Sequence, residues 1–208
     1  MDAVVPYEQR LNENRRWALM EGSMHFENRS SVFRSLRRIA AGLERLGIAY
    51  AVVGGMALFH HGYRRYTENL DILVTGESLE TIHANLAELG CVSPDPEKTG
   101  VLRDAETGVR IKFLVSGGYP GDGKPKSICF PDPIGITDSV DGVHWIRLPQ
   151  LVELKLASGT VPWRRKDLGD VQELIDRLHL QANFANQINE YVRPAFLELV
   201  RLIRDNPE

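Results

Sequence analysis

Apolar positions along the chain fall either on helical stripes or in short continuous runs. After Ser30 and Ser31, either of which can cap a helix, Val32, Phe33, Leu36, Ile39, Ala40, Leu43 and Leu46 form one helical stripe that ends at Gly47. The short apolar run Ala49 to Val53 reads as a strand, Gly54 and Gly55 as a tight turn, and Met56 to His61 as a helix with no breaker before Gly62. A second apolar strand, Leu70 to Val74, follows the polar link Arg64 to Asn69. Leu79, Ile82, Leu86 and Leu89 then mark another helix. Two strands each followed by a helix predict an α/β layer.

Val101 to Arg103 and Val109 to Val115 bracket Asp104-Ala105-Glu106-Thr107-Gly108 and predict a hairpin, with Gly108 supplying a positive φ. Short strands at Ile128 to Phe130 and Val143 to Ile146 are expected to flank a Pro-rich loop. From Pro149 onward the spacing is helical, first at Leu151, Val152, Leu154 and Leu156, then at Leu168, Val171, Leu174, Ile175 and Leu178. A last stripe runs from Phe184 to Ile203, where Pro194 removes a backbone donor and is expected to kink or split the helix. No internal repeat is visible. The pattern divides into an N-terminal arm over residues 1–29, an α/β domain with a small mixed sheet and flanking helices over 30–148, and C-terminal helices over 149–208 packed on the same domain. The arm, with Arg15, Arg16 and Trp17, is weakly patterned and reads as a packing segment.

Composition narrows the classes. The 208 residues suit one domain with an appended helical layer, and 43% hydrophobic with 25% charged residues excludes a disordered or collagen-like chain. Lys and Arg number 25 against 28 Asp and Glu, so no whole-chain basic field favours nucleic acid, and there is no strong nucleic-acid signal. Cys91 and Cys129 lack the spacing of a disulfide framework or a metal site. Charges within the first ten residues argue against a secretory leader, and the longest uncharged run, Leu46 to Tyr63, is broken by glycines and histidines. No membrane span is expected, and the expected location is the cytoplasm.

The candidate chemistry lies in Val52-Val53-Gly54-Gly55-Met56-Ala57-Leu58 and, after a gap, Leu70-Asp71-Ile72-Leu73-Val74. Glycines at a strand-to-helix turn let backbone N–H groups approach a triphosphate, and a helix N-terminus adds positive partial charge. On a strand, residues two apart share a face, so paired carboxylates there could converge on metal ions. This arrangement resembles the DNA polymerase β-like nucleotidyltransferases. Within them, Arg65-Tyr66-Thr67-Glu68-Asn69-Leu70-Asp71, the run Leu151 to Gly159 and the run Arg165 to Val171 are similar to the minimal and abortive-infection (AbiEii-type) enzymes. The resemblance spans about Ile48 to Leu178. It implies the nucleotidyltransferase fold, an NTP held near Gly54, Gly55, Arg65 and Asn69, and Mg²⁺ held by carboxylates including Asp71. It also implies transfer of a nucleoside monophosphate to a hydroxyl acceptor, with Asp71, Lys112 and Lys155 as catalytic candidates. For the toxin half of a toxin–antitoxin pair, it further implies an antitoxin-like protein partner.

The sequence departs from the family pattern at two of three metal positions. The first carboxylate falls on Asn69, and the third, expected on Val109 to Leu114, falls on Lys112. A neutral amide is a poor ligand for a hard divalent cation, and an ammonium opposes it by charge. Three arrangements remain open. Lys112 can pair with Asp71 and replace the metal's charge, which predicts a pseudoenzyme with nucleotide binding and weak or lost transfer. Glu68, or Asp104 and Glu106, can complete an unusual metal site in an active enzyme, although Glu68 points to the opposite strand face from Asn69. The register at Lys112 can also shift by one, bringing Arg110 or Ile111 to that place. A protein-binding module with a vestigial cleft is a further possibility from a different class.

Other residues attract attention and carry less. Gly118 to Lys124 matches seven positions of a phosphate-binding loop, but Pro125 stands where a hydroxyl is needed, so a rigid loop is expected, with Lys124 and Lys126 beside the cleft. Adjacent His60 and His61 diverge on a helix and cannot chelate one ion. Arg64 and Arg65 can reach a triphosphate or remain a solvated link. Lys155, among Leu151, Leu154 and Leu156, can face the cleft or solvent. Arg164, Arg165 and Lys166 read as a solvated run before Asp167, which is expected to cap the next helix, and Asp167 and Asp170 as structural partners of Lys155.

Overall fold

The computed structural model describes residues 4–95, 97 and 99–205. The first three residues of the N-terminal arm and the last three of the C-terminal helices lie outside the described residues. In chain order the elements are α1 (Tyr7–Glu13), α2 (Arg15–Phe26), α3 (Ser31–Arg45), β1 (Ala51–Val53), α4 (Gly54–His60), β2 (Asn69–Val74), α5 (Gly76–Ala84), β3 (Cys91–Val92), β4 (Val101–Asp104), β5 (Arg110–Val115), β6 (Thr137–Val140), β7 (Val143–Ile146), α6 (Leu148–Gly159), α7 (Lys166–Arg177) and α8 (Arg193–Asp205). Short 3₁₀ turns at Pro162–Arg164 and Ala182–Gln187 join the last helices.

The strands form one mixed sheet in the order β3-β4-β5-β2-β1-β7-β6. β2 lies antiparallel to β1 and parallel to β5, which puts β2 at the centre. Because successive side chains alternate faces, the central strands divide cleanly. Val52, Leu70, Ile72, Val74, Ile111 and Phe113 join Leu36, Ile39 and Leu43 of α3 and Ile82 of α5 in one core. Ala51, Val53 and Leu73 join Leu151, Val152 and Leu156 of α6, Val171 and Leu174 of α7 and Phe196 of α8 in the other. Asn69 and Asp71, Arg110 and Lys112 share the parity of Leu73 and Leu114. The charged ends of β2 and β5 therefore face the second layer, beyond the reach of its apolar packing.

Local signals explain most boundaries. Ser30 accepts a hydrogen bond from Phe33 N and opens α3. Gly47, at φ 65°, ends its last turn, and Gly108, at φ 75°, closes the β4–β5 hairpin. The arm forms two helices pinned to the core: Tyr7 is fully buried, and its hydroxyl donates to Glu21 Oε2 (3.0 Å).

Several expectations are corrected. Ile128 to Phe130 is not a strand among the described elements; Phe130 exchanges backbone hydrogen bonds with Gly117 and Gly118 (2.8 and 2.7 Å) and stays in the loop. β7 lies between β1 and β6 and forms its hairpin with β6, whose two-residue turn, Asp141 at φ 52° and Gly142 at φ 72°, has the left-handed pair that an Asp-Gly hairpin favours. α5 stops at Ala84, so Leu86 and Leu89 pack from the following turns. Pro194 kinks nothing: it is the second residue of α8, where a missing N–H has no intrahelical acceptor to lose, and the stripe before it is a 3₁₀ turn. Asp167 lies inside the first turn of α7, not at its cap, which is Arg165. Among the described residues no helix is long and apolar enough to cross a membrane.

Candidate functional site

Val53 pairs with Asp71, and Asp71 in turn with Lys112, so three adjacent strands place the glycine turn, the carboxylate and the ammonium in one row. The register expected for Lys112 is thereby observed, and the alternative shift by one residue is excluded. Gly54, at φ 64°, follows β1 immediately and begins α4. A Cβ on Gly54 would overlap Asp71 Oδ2 and lie 3.0 Å from Cγ. One on Gly55 would lie 2.7 Å from Thr67 Oγ1. Both glycines are needed here for close approach, and Gly54 also for its left-handed backbone.

Above this row opens a cleft of about 760 Å³. Gly54, Gly55, Arg65, Thr67, Asn69, Asp71, Arg110 and Lys112 line its floor and near edge; Lys155, Ser158, Arg164, Lys166 and Asp167 of the helical layer form one wall; Tyr119, Pro120, Gly121 and Phe130 form the other. The structure thus brings together every site residue picked from the sequence, Gly54, Gly55, Arg65, Asn69, Asp71, Lys112 and Lys155. Thr67, Arg110, Tyr119 and Ser158 were not picked for the site. Arg110 was legible in principle, since it stands two residues from Lys112 on one strand and must share its face. The loop 118–125 is a wall without the strand-loop-helix setting of a phosphate-binding loop, and Lys126 is held by Asp122 (3.0 Å). His60 stacks on Trp145 (4.4 Å between rings), and His61 Nε2 lies 2.7 Å from Ile146 O, so both serve packing.

The cations of the cleft fall into two groups. Lys155 is buried and donates to Asp167 Oδ1 (2.8 Å) and Asp170 Oδ2 (2.6 Å). Arg164 donates to Asp167 Oδ2 (2.8 Å) and Ser158 Oγ (3.1 Å), and so is not the solvated residue its run suggested. Arg65 lies against Asp170 (3.3 Å). This network ties α6, α7 and the loop before β2 into one wall. Burial raises the Asp167 carboxyl, but Lys155, Ser158 and Arg164 outweigh it and hold the group below its ordinary range. Arg110, Lys112 and Lys166 are exposed to the cleft and make no ion pair among the described residues.

Asp71 does not pair with Lys112 among the described residues, contrary to one of the three arrangements that the sequence leaves open. Its Oδ1 accepts a hydrogen bond from Asn69 Nδ2 (3.2 Å), and no ion pair of Asp71 within 4.0 Å occurs among the described residues. Burial pushes the Asp71 carboxyl above its ordinary value against the pull of Lys112, Lys155, Arg164 and Arg110. The acids proposed to complete a metal site are elsewhere. Glu68 is exposed outside the cleft, and Asp104 and Glu106 are both held by Arg38 of α3 on the opposite side of the sheet.

No family model matches the chain, and no curated protein matches it by sequence. Among solved structures, the solution structure of the antibiotic-resistance factor ANT(2'')-Ia aligns with a TM-score of 0.52 and 16% identity over 83% of this chain and 94% of that one. The chain has the nucleotidyltransferase fold. Two further similar structures are a crystal structure of ANT(2'')-Ia in complex with adenylyl-2''-tobramycin (TM-score 0.49, 14% identity, 78% of this chain and 94% of that one) and JHP933 from Helicobacter pylori (TM-score 0.46, 13% identity, 83% and 89%).

The Mg²⁺ that the sequence resemblance implies for this fold does not suit the residues present. The floor offers one carboxylate, Asp71, already engaged by an amide, beside the cations Arg110 and Lys112. Among the described residues no three His, Cys, Asp or Glu side chains are grouped to hold a metal ion. Hard divalent cations take charged oxygen ligands, which this floor supplies once.

Proposed function

We propose that this protein uses the nucleotidyltransferase fold to hold the polyphosphate of a nucleoside triphosphate, and that its metal-dependent nucleotidyl transfer is weak or lost. The observation that carries this reading is the row Gly54, Asp71, Lys112: a glycine elbow open to a phosphate chain, with an ammonium on the strand next to the remaining acid. Arg110, Lys112 and Lys166, which line the cleft and make no ion pair among the described residues, favour a polyanion; Arg65, Lys155 and Arg164 are already matched by Asp167 and Asp170. Charge-assisted hydrogen bonds from Arg and Lys are the usual means of gripping phosphate.

The test is thermal denaturation of the full chain with each common NTP, combined with label transfer from an α-phosphate-labelled NTP in Mg²⁺ or Mn²⁺. A nucleotide at a hundredfold excess over its Kd stabilises the folded state by about 2.7 kcal/mol, roughly 5–10 °C for a chain of this size. We expect that shift and no transfer above background. Efficient labelling that Asp71→Ala abolishes would instead identify an active transferase; with an RNA or protein acceptor it would favour the toxin of a toxin–antitoxin pair. No shift with any nucleotide would leave a protein-binding module with a vestigial cleft.

A further inference from the structure

The floor of the cleft has free positive charge where a metal-dependent site would have negative charge. Arg110 and Lys112 share one face of β5, and Lys112 is the direct neighbour of Asp71 across the sheet. Lys166 opens the far wall. Their would-be counter-charges are taken: Asp167 and Asp170 are bound by Lys155, Arg164 and Arg65. Glu8, whose field reaches Arg110, is held by Arg103 (2.5 and 2.9 Å). Asp71 itself offers little to an incoming cation. One oxygen accepts from Asn69, and the other is pressed against the Gly54 backbone. An unpaired ammonium beside that acid repels Mg²⁺ and attracts phosphate oxygen by the same charge.

We infer that the cleft takes the free polyphosphate anion and not its Mg²⁺ complex, with Lys112 supplying the positive charge on the phosphates and the divalent cation competing with the protein for the ligand. The inference rests on the nucleotide-binding reading above and specifies the ionic form of its ligand. Complexation by Mg²⁺ cancels roughly two charges of a triphosphate and occupies the oxygens that Lys112, Arg110 and Lys166 would grip. A nucleoside is not required for this preference, so inorganic tripolyphosphate should share it.

The experiment is calorimetric titration of the full chain with ATP and, separately, with inorganic tripolyphosphate, each in EDTA and in excess Mg²⁺ at matched ionic strength, since screening alone weakens such contacts. The expected result is binding tighter by about tenfold or more in EDTA for both ligands, the size of one charge-assisted hydrogen bond to phosphate. Lys112→Glu is expected to erase or reverse that preference, with a melt of the unliganded variant at the titration pH confirming that it is folded. Equal or tighter binding in Mg²⁺ overturns the inference while leaving the nucleotide reading intact. Retention of the EDTA preference in Lys112→Glu overturns the role given to Lys112. No binding of either ligand under both conditions overturns the nucleotide reading itself.

Discussion

Gly54 and Asp71 meet across the β1–β2 pair so closely that any side chain on the glycine would occupy the space of the Asp71 carboxyl. The elbow and the acid are therefore one structural unit. The strand pairing that brings Val53 opposite Asp71 sets the distance, and the left-handed backbone of Gly54 makes it attainable.

Gly54→Ala should cost about 2–4 kcal/mol, combining the left-handed penalty of an L-residue with overpacking against Asp71. In Asp71→Ala the oxygen that collides is gone, so the double variant should lose less than the sum of the singles. The residual loss reflects the backbone strain and the 3.1 Å approach to the Cβ that position 71 keeps. Urea denaturation of the four proteins gives the coupling directly.

Asp71 has a folded-state pKa raised by burial, so its contribution to stability is greatest below the unfolded carboxylate value near 3.9 and is lost as pH rises through the raised value. Asp71→Asn should then raise the melting temperature at pH 7.5 and bring little change at pH 4. A lower melting temperature at pH 7.5 would contradict the account.

Lys155→Met removes the shared partner of Asp167 and Asp170 and leaves buried carboxylates without compensation, for an expected loss of about 3–5 kcal/mol. Asp167, held low, has the opposite sign from Asp71: its contribution is full above the unfolded carboxylate pKa and disappears as pH falls through the folded one. The wild type should therefore lose stability below about pH 4. Lys155→Met should flatten that acid limb, which a series of melts from pH 3 to 7 would reveal.

Combining Asn69→Asp with Lys112→Asp would put three carboxylates on one face of two adjacent strands. We expect Mn²⁺ or Mg²⁺ to raise the melting temperature of this double variant and to leave the wild type unmoved, because the donor set then matches a hard cation. Equal responses in both proteins would show that Asn69 and Lys112 do not control metal access.

The N-terminal arm gives a separate prediction. Glu21 accepts from Tyr7 Oη (3.0 Å), Ser31 N (2.8 Å) and Ser31 Oγ (3.0 Å), which closes the start of α3. Glu21→Ala strands these buried donors and should cost about 1–3 kcal/mol, with early hydrogen exchange at Ser31 as the local readout.

Much of the fold was legible because its signals are local. The stripe from Val32 to Leu43 and its Ser30 cap, the apolar runs of β1 and β2, and the Gly108 hairpin each depend on neighbours within a few residues. The hairpin of β6 and β7 escaped notice although Asp141-Gly142 announces it, because Thr137 to Val140 is largely exposed and lacks an apolar face. Pro194 reads as a break in sequence because a proline that interrupts one helical stripe also suits the first turn of the next. In the site, Asn69, Asp71 and Lys112 are marked by the resemblance of their runs to the nucleotidyltransferase pattern; alternation along the strand adds only that Asn69 and Asp71 share a face. The engagement of Arg164 carries no such mark: Asp167 stands only three residues on, but its burial beside Lys155 and Ser158 depends on how α6 packs against α7.

Residue order alone determined most of the helices, the central strands β1, β2 and β5, and which side chains share a strand face. Those properties follow from steric preference and from the two periods of secondary structure, both set within a short stretch of chain. Tertiary structure alone decided that Asp71 packs against Gly54 while Lys112 makes no ion pair among the described residues, and that Lys155 and Arg65 spend their charge on Asp167 and Asp170. Such pairings join residues distant in the chain, and the choice among several reachable partners depends on the packing of whole layers and on the cost of leaving a buried charge unmatched.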